Sequence, residues 1–497
     1  MAAFLSCTFL VNLIGAVAQL KSAEQIEKAA KTEFPRAIQE FRDFLKLPND
    51  GHIAEQIDIN LKWAVNAFEK RGFKTQVITS PGAPHVYAEK QYVKKGKTVL
   101  FYLQIDGQPV DSSAWDQESP FLAELKEEEN GLWEKINWKN LEKSINPDWR
   151  IYARSASDSK GPALCFLTAL SILEKNKVKP NFNIKVIMDF QEEMSSPLLA
   201  WVVENNKELL QSDMVLIMDG TRHVSNLPTL CFGARGIATA TIKVFGPGNA
   251  LHSGQYGNYA PNPVFAMSKL LAGLKDDQGR VTLPGFYDGV VLTDIDKKAL
   301  KEIPEDGAEI NRTLGISKPD AVGETYQEAM QYPSLNVRGL RSAWVGKEVR
   351  TIIPEEVIAE IDMRLVPESS GEKLMSMLKT YIVEMGFHLV DGEPTEEERV
   401  QYARLASMTY KLGSAPFRTD LNTELGDWLS RAHERLFGNQ FVKLRTTGGS
   451  QPIAPFIQTL NIPAVSVRIP NPDNSIHAPN ENIRVGNFLE GIETMVG

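Results

Sequence analysis

Thr98-Val99-Leu100-Phe101-Tyr102-Leu103-Gln104-Ile105-Asp106-Gly107-Gln108-Pro109 is an apolar run that ends in two polar side chains and a Gly/Pro turn. Read as a buried strand, it delivers Gln104 and Asp106, two residues apart, to one face at its C-terminal end. Open α/β sheets place their chemistry at strand C-termini. The same texture recurs on either side. Residues 23–47 and 55–71 have helical spacing. Residues 183–190 and 214–218 read as buried strands, the second ending at Asp219, and residues 161–173 and 197–210 read as helices. Strands alternating with helices predict an α/β fold with a mostly parallel sheet and helices on both faces.

The texture changes after Gly233-Ala-Arg-Gly236. Residues 237–244 alternate apolar and small polar side chains, as a strand with one exposed face would. Residues 262–274 are helical, a long charged stretch runs to about Tyr332, and 357–366 is again a strand. Residues 371–385 form an amphipathic helix with Leu374, Leu378, Ile382 and Met385 on one face. From about Thr419 the first texture returns, with a helix over 421–436, a strand over 463–469 and a terminal helix. The expected organisation is a catalytic domain formed by 19–236 and 419–497, with an inserted α+β lid or dimerisation domain at 237–418. Residues 115–149, polar and rich in tryptophan, are expected to be an irregular surface excursion.

A chain of 497 residues exceeds one compact core, and 42% hydrophobic with 24% charged residues is ordinary for a globular protein. A net charge of −9 without a basic stripe argues against a nucleic-acid partner. Residues 1–18 resemble a signal peptide, with Ala16-Val-Ala18 as the cleavage pattern, although no Lys or Arg precedes the apolar run. A periplasmic or secreted location is therefore expected. No later segment is apolar for long enough to span a bilayer, so no membrane partner is expected. Cys165 and Cys231 read as small core residues.

Five short segments fall at predicted strand ends or turns: Gln104-Ile-Asp106, Ser157-Asp158-Ser-Lys-Gly161, Gln191-Glu192-Glu193, Met218-Asp219-Gly220 and His477-Ala-Pro-Asn-Glu481. Each alone is usually a turn, a cap or a solvated helix start. Together, carboxylates and an imidazole at strand ends of one sheet converge on one crevice. A carboxylate shared by two ions, with Asp, Glu and His as terminal ligands, is what a paired metal site needs.

With these segments in this order, the chain resembles the co-catalytic di-zinc amidohydrolases of the aminoacylase and carnosine-dipeptidase superfamily, over nearly its whole length past the leader. The resemblance implies two divalent ions per subunit, zinc first, with manganese or cobalt as alternatives. Their ligands would be the residue at Gln104, a bridging Asp158, Glu193, Asp219 and His477. It implies Glu192 as general acid/base and Asp106 as the group that orients the first ligand. Leu251-His252-Ser-Gly254 resembles the segment whose histidine reaches the partner subunit's active site, which implies a homodimer through the lid. Asp362-Met-Arg364 resembles a strand whose arginine grips a substrate carboxylate. Gly448-Gly449-Ser450-Gln-Pro452 resembles a loop lining the substrate site. The implied activity is hydrolysis of amide bonds, as an exopeptidase or dipeptidase on small peptides with a free carboxylate. The alternatives are an N-acyl amino acid deacylase and a non-catalytic dimeric binding protein.

Two positions depart from the pattern. Ser155 stands where Arg-Gly-x-x-Asp-x-Lys-Gly has its first glycine, and Gln104 stands where a histidine is expected. Three readings of Gln104 follow. Its side-chain oxygen is a weaker ligand while its amide NH2 donates to Asp106. Alternatively, its metal site is empty and one ion sits at Asp158, Glu193 and His477. Alternatively, the site has lost catalysis. The persistence of Glu192, which the fold does not require, counts against the third. His223 is read as a loop histidine outside the site.

Overall fold

The computed structural model describes residues 20–497, so the expected leader lies outside the described residues. Its largest sheet has eight strands, in the order Lys74–Ile78, His85–Lys90, Asn183–Asp189, Thr98–Gln104, Met214–Ile217, Ala464–Arg468, Thr229–Cys231 and Val442–Leu444. The four central strands, from Asn183–Asp189 to Ala464–Arg468, are parallel. The next strand on each side, His85–Lys90 or Thr229–Cys231, is antiparallel.

The apolar run of Thr98–Gln104 is apolar on both faces because both faces are covered. Val99, Phe101 and Leu103 join the core beneath helices Ala23–Leu45, Lys160–Lys175 and Val485–Val496, where Phe41 and Phe488 stack at 4.7 Å. Leu100 and Tyr102 face the other core, with Val202, Val203 and Phe456 of helices Leu199–Asn205 and Ala454–Leu460. Cys165 and Cys231 are both buried and unpaired by disulfide, as read. Lys160 is fully buried and its Nζ donates to the carbonyls of Phe44 and Leu47. It thereby satisfies the end of helix Ala23–Leu45 and fixes the start of its own helix beside Asp158.

The second sheet has five strands, in the order Ser334–Arg341, Glu356–Leu365, Gly236–Phe245, Leu405–Leu412 and His388–Leu389. Gly236–Phe245 and Glu356–Leu365 alternate buried and partly exposed residues along their length. Helices Pro263–Ala272 and Gly371–Glu384 cover the buried face, the latter through Leu374, Leu378 and Ile382. The chain enters and leaves this lid side by side, since Gly233 pairs with Arg418 and Ala234 with Phe417.

One expectation fails. Residues 115–149 are not irregular. They carry a hairpin, Glu124–Glu129 with Leu132–Lys135, which joins Arg150–Tyr152 and Asn482–Arg484 in a four-stranded sheet. Its turn is Asn130-Gly131, both at positive φ (54° and 81°), the geometry that a two-residue hairpin loop demands. The charge of Glu127-Glu-Glu129 masked a strand whose turn dipeptide was the better signal.

Candidate active site

The predicted strand-end residues meet in one cleft. Its volume is about 560 Å³, and Gln108, Asp158, Glu192, Glu193, Asp219 and His477 line one side. Ligand atoms of Asp158, Glu193 and His477 all lie within 4.8 Å of one another. His477 Nε2 is 3.0 Å from Asp158 Oδ2 and 3.1 Å from Glu193 Oε2. Gln108 Nε2 donates to Glu193 Oε2 at 2.8 Å.

Glu481, 1% exposed, shapes the loop that presents Asp158. Its Oε1 accepts from the backbone N–H of Ser157 and Asp158, each at 2.9 Å, and its Oε2 accepts from Ser155 N–H and Arg154 Nη1, each at 2.8 Å. A buried carboxylate with this many donors is fully compensated. Ser155, where relatives are expected to carry glycine, sits at φ 61°, which explains that glycine. Its Oγ instead accepts from Asn49 Nδ2 at 2.8 Å. Gly107 makes room for that hydroxyl, because a Cβ there would come within 2.3 Å of Ser155 Oγ.

On the other side of Asp158, the buried Gln104 turns its amide NH2 inward. Nε2 lies 3.3 Å from Asp158 Oδ1, 3.2 Å from Glu192 Oε2 and 3.2 Å from Asp219 Oδ1. Its Oε1 is buried and has no hydrogen-bond partner. The amide does not donate to Asp106. Asp106 Oδ2 accepts from Glu193 N–H at 3.0 Å, and its Oδ1 has no partner. In this orientation the NH2 faces three carboxylates rather than the single carboxylate of Asp106. Gln451 completes this side, with Nε2 donating to Asp219 Oδ2 at 2.7 Å.

Every carboxyl of the cluster except Asp158 is displaced upward, with burial the largest cause. Burial pushes the Glu192 carboxyl well above its usual range, and Asp219, Asp158 and Glu193 add to this. Burial, then Asp158, raises Asp219, partly offset by Arg468. Burial, then Asp189, holds Asp106 well up. Burial opposes ionisation of Asp158 as well, but hydrogen bonds from His477 and Ser159 outweigh it and hold that carboxyl below its usual range. Burial raises Glu193 to about 7 despite His477. Hydrogen bonds to Asp158 and Glu193 raise His477 to about 10.

The lid supplies the opposite wall. Arg364 lines the cleft, and its Nη1 donates to Ser450 Oγ at 3.1 Å, with Gly449 beside it. His252 is exposed and lies outside the cleft-lining set. Its Nδ1 accepts from Gly254 N–H at 3.1 Å. His223 is buried against Glu305, 2.9 Å from its carboxylate, and takes no part in the cluster. Sequence reading assigned no role to Gln451, Gln108 or Glu481, although all three lie inside the quoted motifs.

Comparisons with known proteins agree with this geometry. A family model, peptidase family M20/M25/M40, matches residues 104–497 and so begins at Gln104. The chain is 27% identical to human Beta-Ala-His dipeptidase over 418 residues, covering 83% of this chain and 76% of that protein. It is 25% identical to the Cys-Gly metallodipeptidase of Schizosaccharomyces pombe over 405 residues, 80% of this chain and 78% of that one. Among solved structures, an M20 family metallo-carboxypeptidase from Sulfolobus solfataricus superposes with a TM-score of 0.74 at 28% identity, covering 93% of this chain and 97% of the other. Human carnosine dipeptidase 1 superposes at 0.71 and 22% identity, covering 95% and 97%. With a catalytic sheet, an inserted lid and a carboxylate–histidine cluster where they meet, and matched from Gln104 to its last residue, the chain belongs to peptidase family M20/M25/M40 and is a metallopeptidase.

Proposed function

We propose that the protein is a metal-dependent dipeptidase or exopeptidase that cleaves small peptides with a free carboxylate. The observation that carries this reading is the Asp158, Glu193 and His477 cluster, within 4.8 Å, opening on a cleft that also displays Arg364. Two carboxylates and an imidazole form a donor set that suits zinc, with room for manganese or cobalt. A divalent ion held there supplies Lewis acidity toward a carbonyl and a lowered pKa for water.

The chain's own residues supply the rest. Glu192, with its pKa pushed up toward that of the proton it must carry, takes a proton from the attacking water and passes it to the leaving amine. Arg364, steadied by Ser450, offers a planar fork to the substrate's terminal carboxylate. Ser450 and Gly449 shape the wall around that end of the substrate. His252 cannot serve its own cleft, so a role for it requires a homodimer in which it serves the partner's.

The residues do not fit a second ion equally well. The Gln104 NH2 already lies within hydrogen-bonding distance of Asp158, Glu192 and Asp219. A rotated amide would set its oxygen against three carboxylates, which only a cation between them could stabilise. A neutral amide in place of an imidazole makes the second position the weaker one for zinc, so one tightly held ion per chain is expected.

The test is metal analysis of the purified protein, followed by initial rates on dipeptides, longer peptides and N-acyl amino acids with zinc, manganese or cobalt. Turnover of dipeptides with one bound ion is expected. Absence of metal together with absence of turnover on every amide class would overturn the proposal, and turnover confined to N-acyl amino acids would replace peptidase with deacylase. Export through residues 1–18 belongs to the same reading and predicts a secreted form beginning at Gln19.

A further inference from the structure

A second cavity, of about 390 Å³, lies between Arg235 and the lid and shares no lining residue with the cleft. Val281, Tyr287, Leu314, Ile316, Tyr326 and Met330 give it an apolar wall, and Arg235 closes one side. Arg235 is 9% exposed. Its Nη2 donates to Tyr332 O at 2.8 Å and Ser334 Oγ at 3.0 Å, while its buried Nε has no hydrogen-bond partner. It forms no ion pair among the described residues. Burial, then the neighbouring Arg364, lowers its pKa to about 10. The acids on the cavity wall are committed elsewhere, Asp320 to Lys275 at 2.9 Å and Glu324 to Lys301 at 2.9 Å.

A buried cation is costly unless an acid pairs with it, and Asp362, the acid that favours the Arg235 charge, lies beyond ion-pairing distance. Arg235 borders a partly open, largely apolar cavity large enough for a small molecule. The complement of that surface is an apolar body carrying one negative head. We propose that this cavity is a binding site for a small apolar carboxylate, whose head pairs with Arg235 and whose body lies against Tyr287, Leu314 and Met330. The proposal does not depend on the peptidase reading of the cleft.

The cavity and the cleft also share a wall. Arg235 N–H donates to the carbonyl of Thr447, a cleft residue, at 3.2 Å. Met330 Sδ lies 3.5 Å from the point where a side chain on Gly448 would begin. A ligand held by Arg235 and Met330 therefore presses on the back of the loop that carries Gly449 and Ser450.

Calorimetric titration of the intact protein with hexanoate, N-acetyl-leucine and leucine tests the proposal, with hexanamide as the neutral control. The three carboxylates separate an acid of outside origin from an acylated or free amino acid produced by hydrolysis. Binding of at least one carboxylate, at least ten-fold tighter than hexanamide, is expected to persist in Arg364→Gln. It is expected to be lost in Arg235→Gln and in Leu314→Trp, which fills the cavity from its exposed rim without touching the lid core. Leu314→Trp keeps the test decisive if Arg235→Gln does not fold. No carboxylate binding, equal binding of hexanamide, binding that survives Leu314→Trp, or binding abolished by Arg364→Gln would each overturn the proposal.

Discussion

Asp158 divides the acidic cluster into two halves that solve the same problem differently. On one side, Asp158 and Glu193 face His477, a side chain 53% exposed that opens on the cleft. On the other, Asp158, Glu192 and Asp219 face Gln104, which is 2% exposed. Carboxylates crowded together need positive charge, protons or hydrogen-bond donors. The first half keeps three ligand atoms, one of them an imidazole nitrogen, around a space a cation can enter. The second uses a neutral amide, and burial displaces two of its carboxyls, Glu192 and Asp219, upward, which favours their protonated forms. Glu192, the proposed acid/base, lies in the half that faces Gln104, and Asp158 is common to both halves.

This contrast can be broken by substitution. The largest effect is expected from Glu192→Gln, which keeps shape but removes the proton carrier. Initial rates should fall by about 10³-fold with bound metal unchanged, and loss of the ion together with rate would place Glu192 among the ligands instead. Next is Glu481→Gln, which removes the charge compensating Arg154 and weakens the donors that set the loop on which both halves depend. Denaturant unfolding should show a loss of about 3 kcal/mol, accompanied by weaker ion binding. Gln104→His should turn the closed half into an open one, so elemental analysis should rise from one ion per chain to two. Two ions in the unaltered protein would erase the contrast.

A partly buried carboxylate remote from the cluster sharpens it. Burial, then Glu490 and Glu27, raises Glu493 to about 7, against roughly 4.3 in an unfolded chain. The fold therefore binds this proton more tightly than the unfolded chain does. The stabilisation is complete below about pH 4 and is lost as pH rises through about 7. Glu493→Gln, which mimics the protonated form, should stabilise the protein by about 1 kcal/mol at pH 8 after allowance for solvent. It should change little at pH 4. Thermal unfolding with and without chelator should show the same difference, since no cluster residue touches Glu493.

Much of this architecture was readable because it rests on local signals. Thr98–Gln104 is apolar on both faces and ends where polarity begins, so both its burial and its functional end were legible. Two of the five lid strands, Gly236–Phe245 and Glu356–Leu365, were legible, the first through its alternation, and helix Gly371–Glu384 through its one apolar face; Ser334–Arg341, Leu405–Leu412 and His388–Leu389 were not. The hairpin at Glu124–Lys135 was not legible from hydrophobic periodicity because its strands are charged. Only Asn130-Gly131 encoded it. The direction of the Gln104 amide could not be read either. It is decided by carboxylates from three segments separated by 54 to 115 positions, and a residue-by-residue reading supplied only the neighbour two places away. Glu481 was in view as part of a motif, but its work is done on backbone N–H groups more than 300 positions upstream.

The two crossings into the lid, Gly233 with Arg418 and Ala234 with Phe417, are rungs of one antiparallel ladder. Their ends are thus only about 5 Å apart. The lid is accordingly a removable cassette. Joining Ala234 to Phe417 through a two-residue Asn-Gly turn would restore a plain hairpin and leave the eight-stranded sheet with its order unchanged. Any other module whose own ends lie side by side could be spliced into the same gap, so this ladder is a natural grafting point for building new specificities over an old sheet.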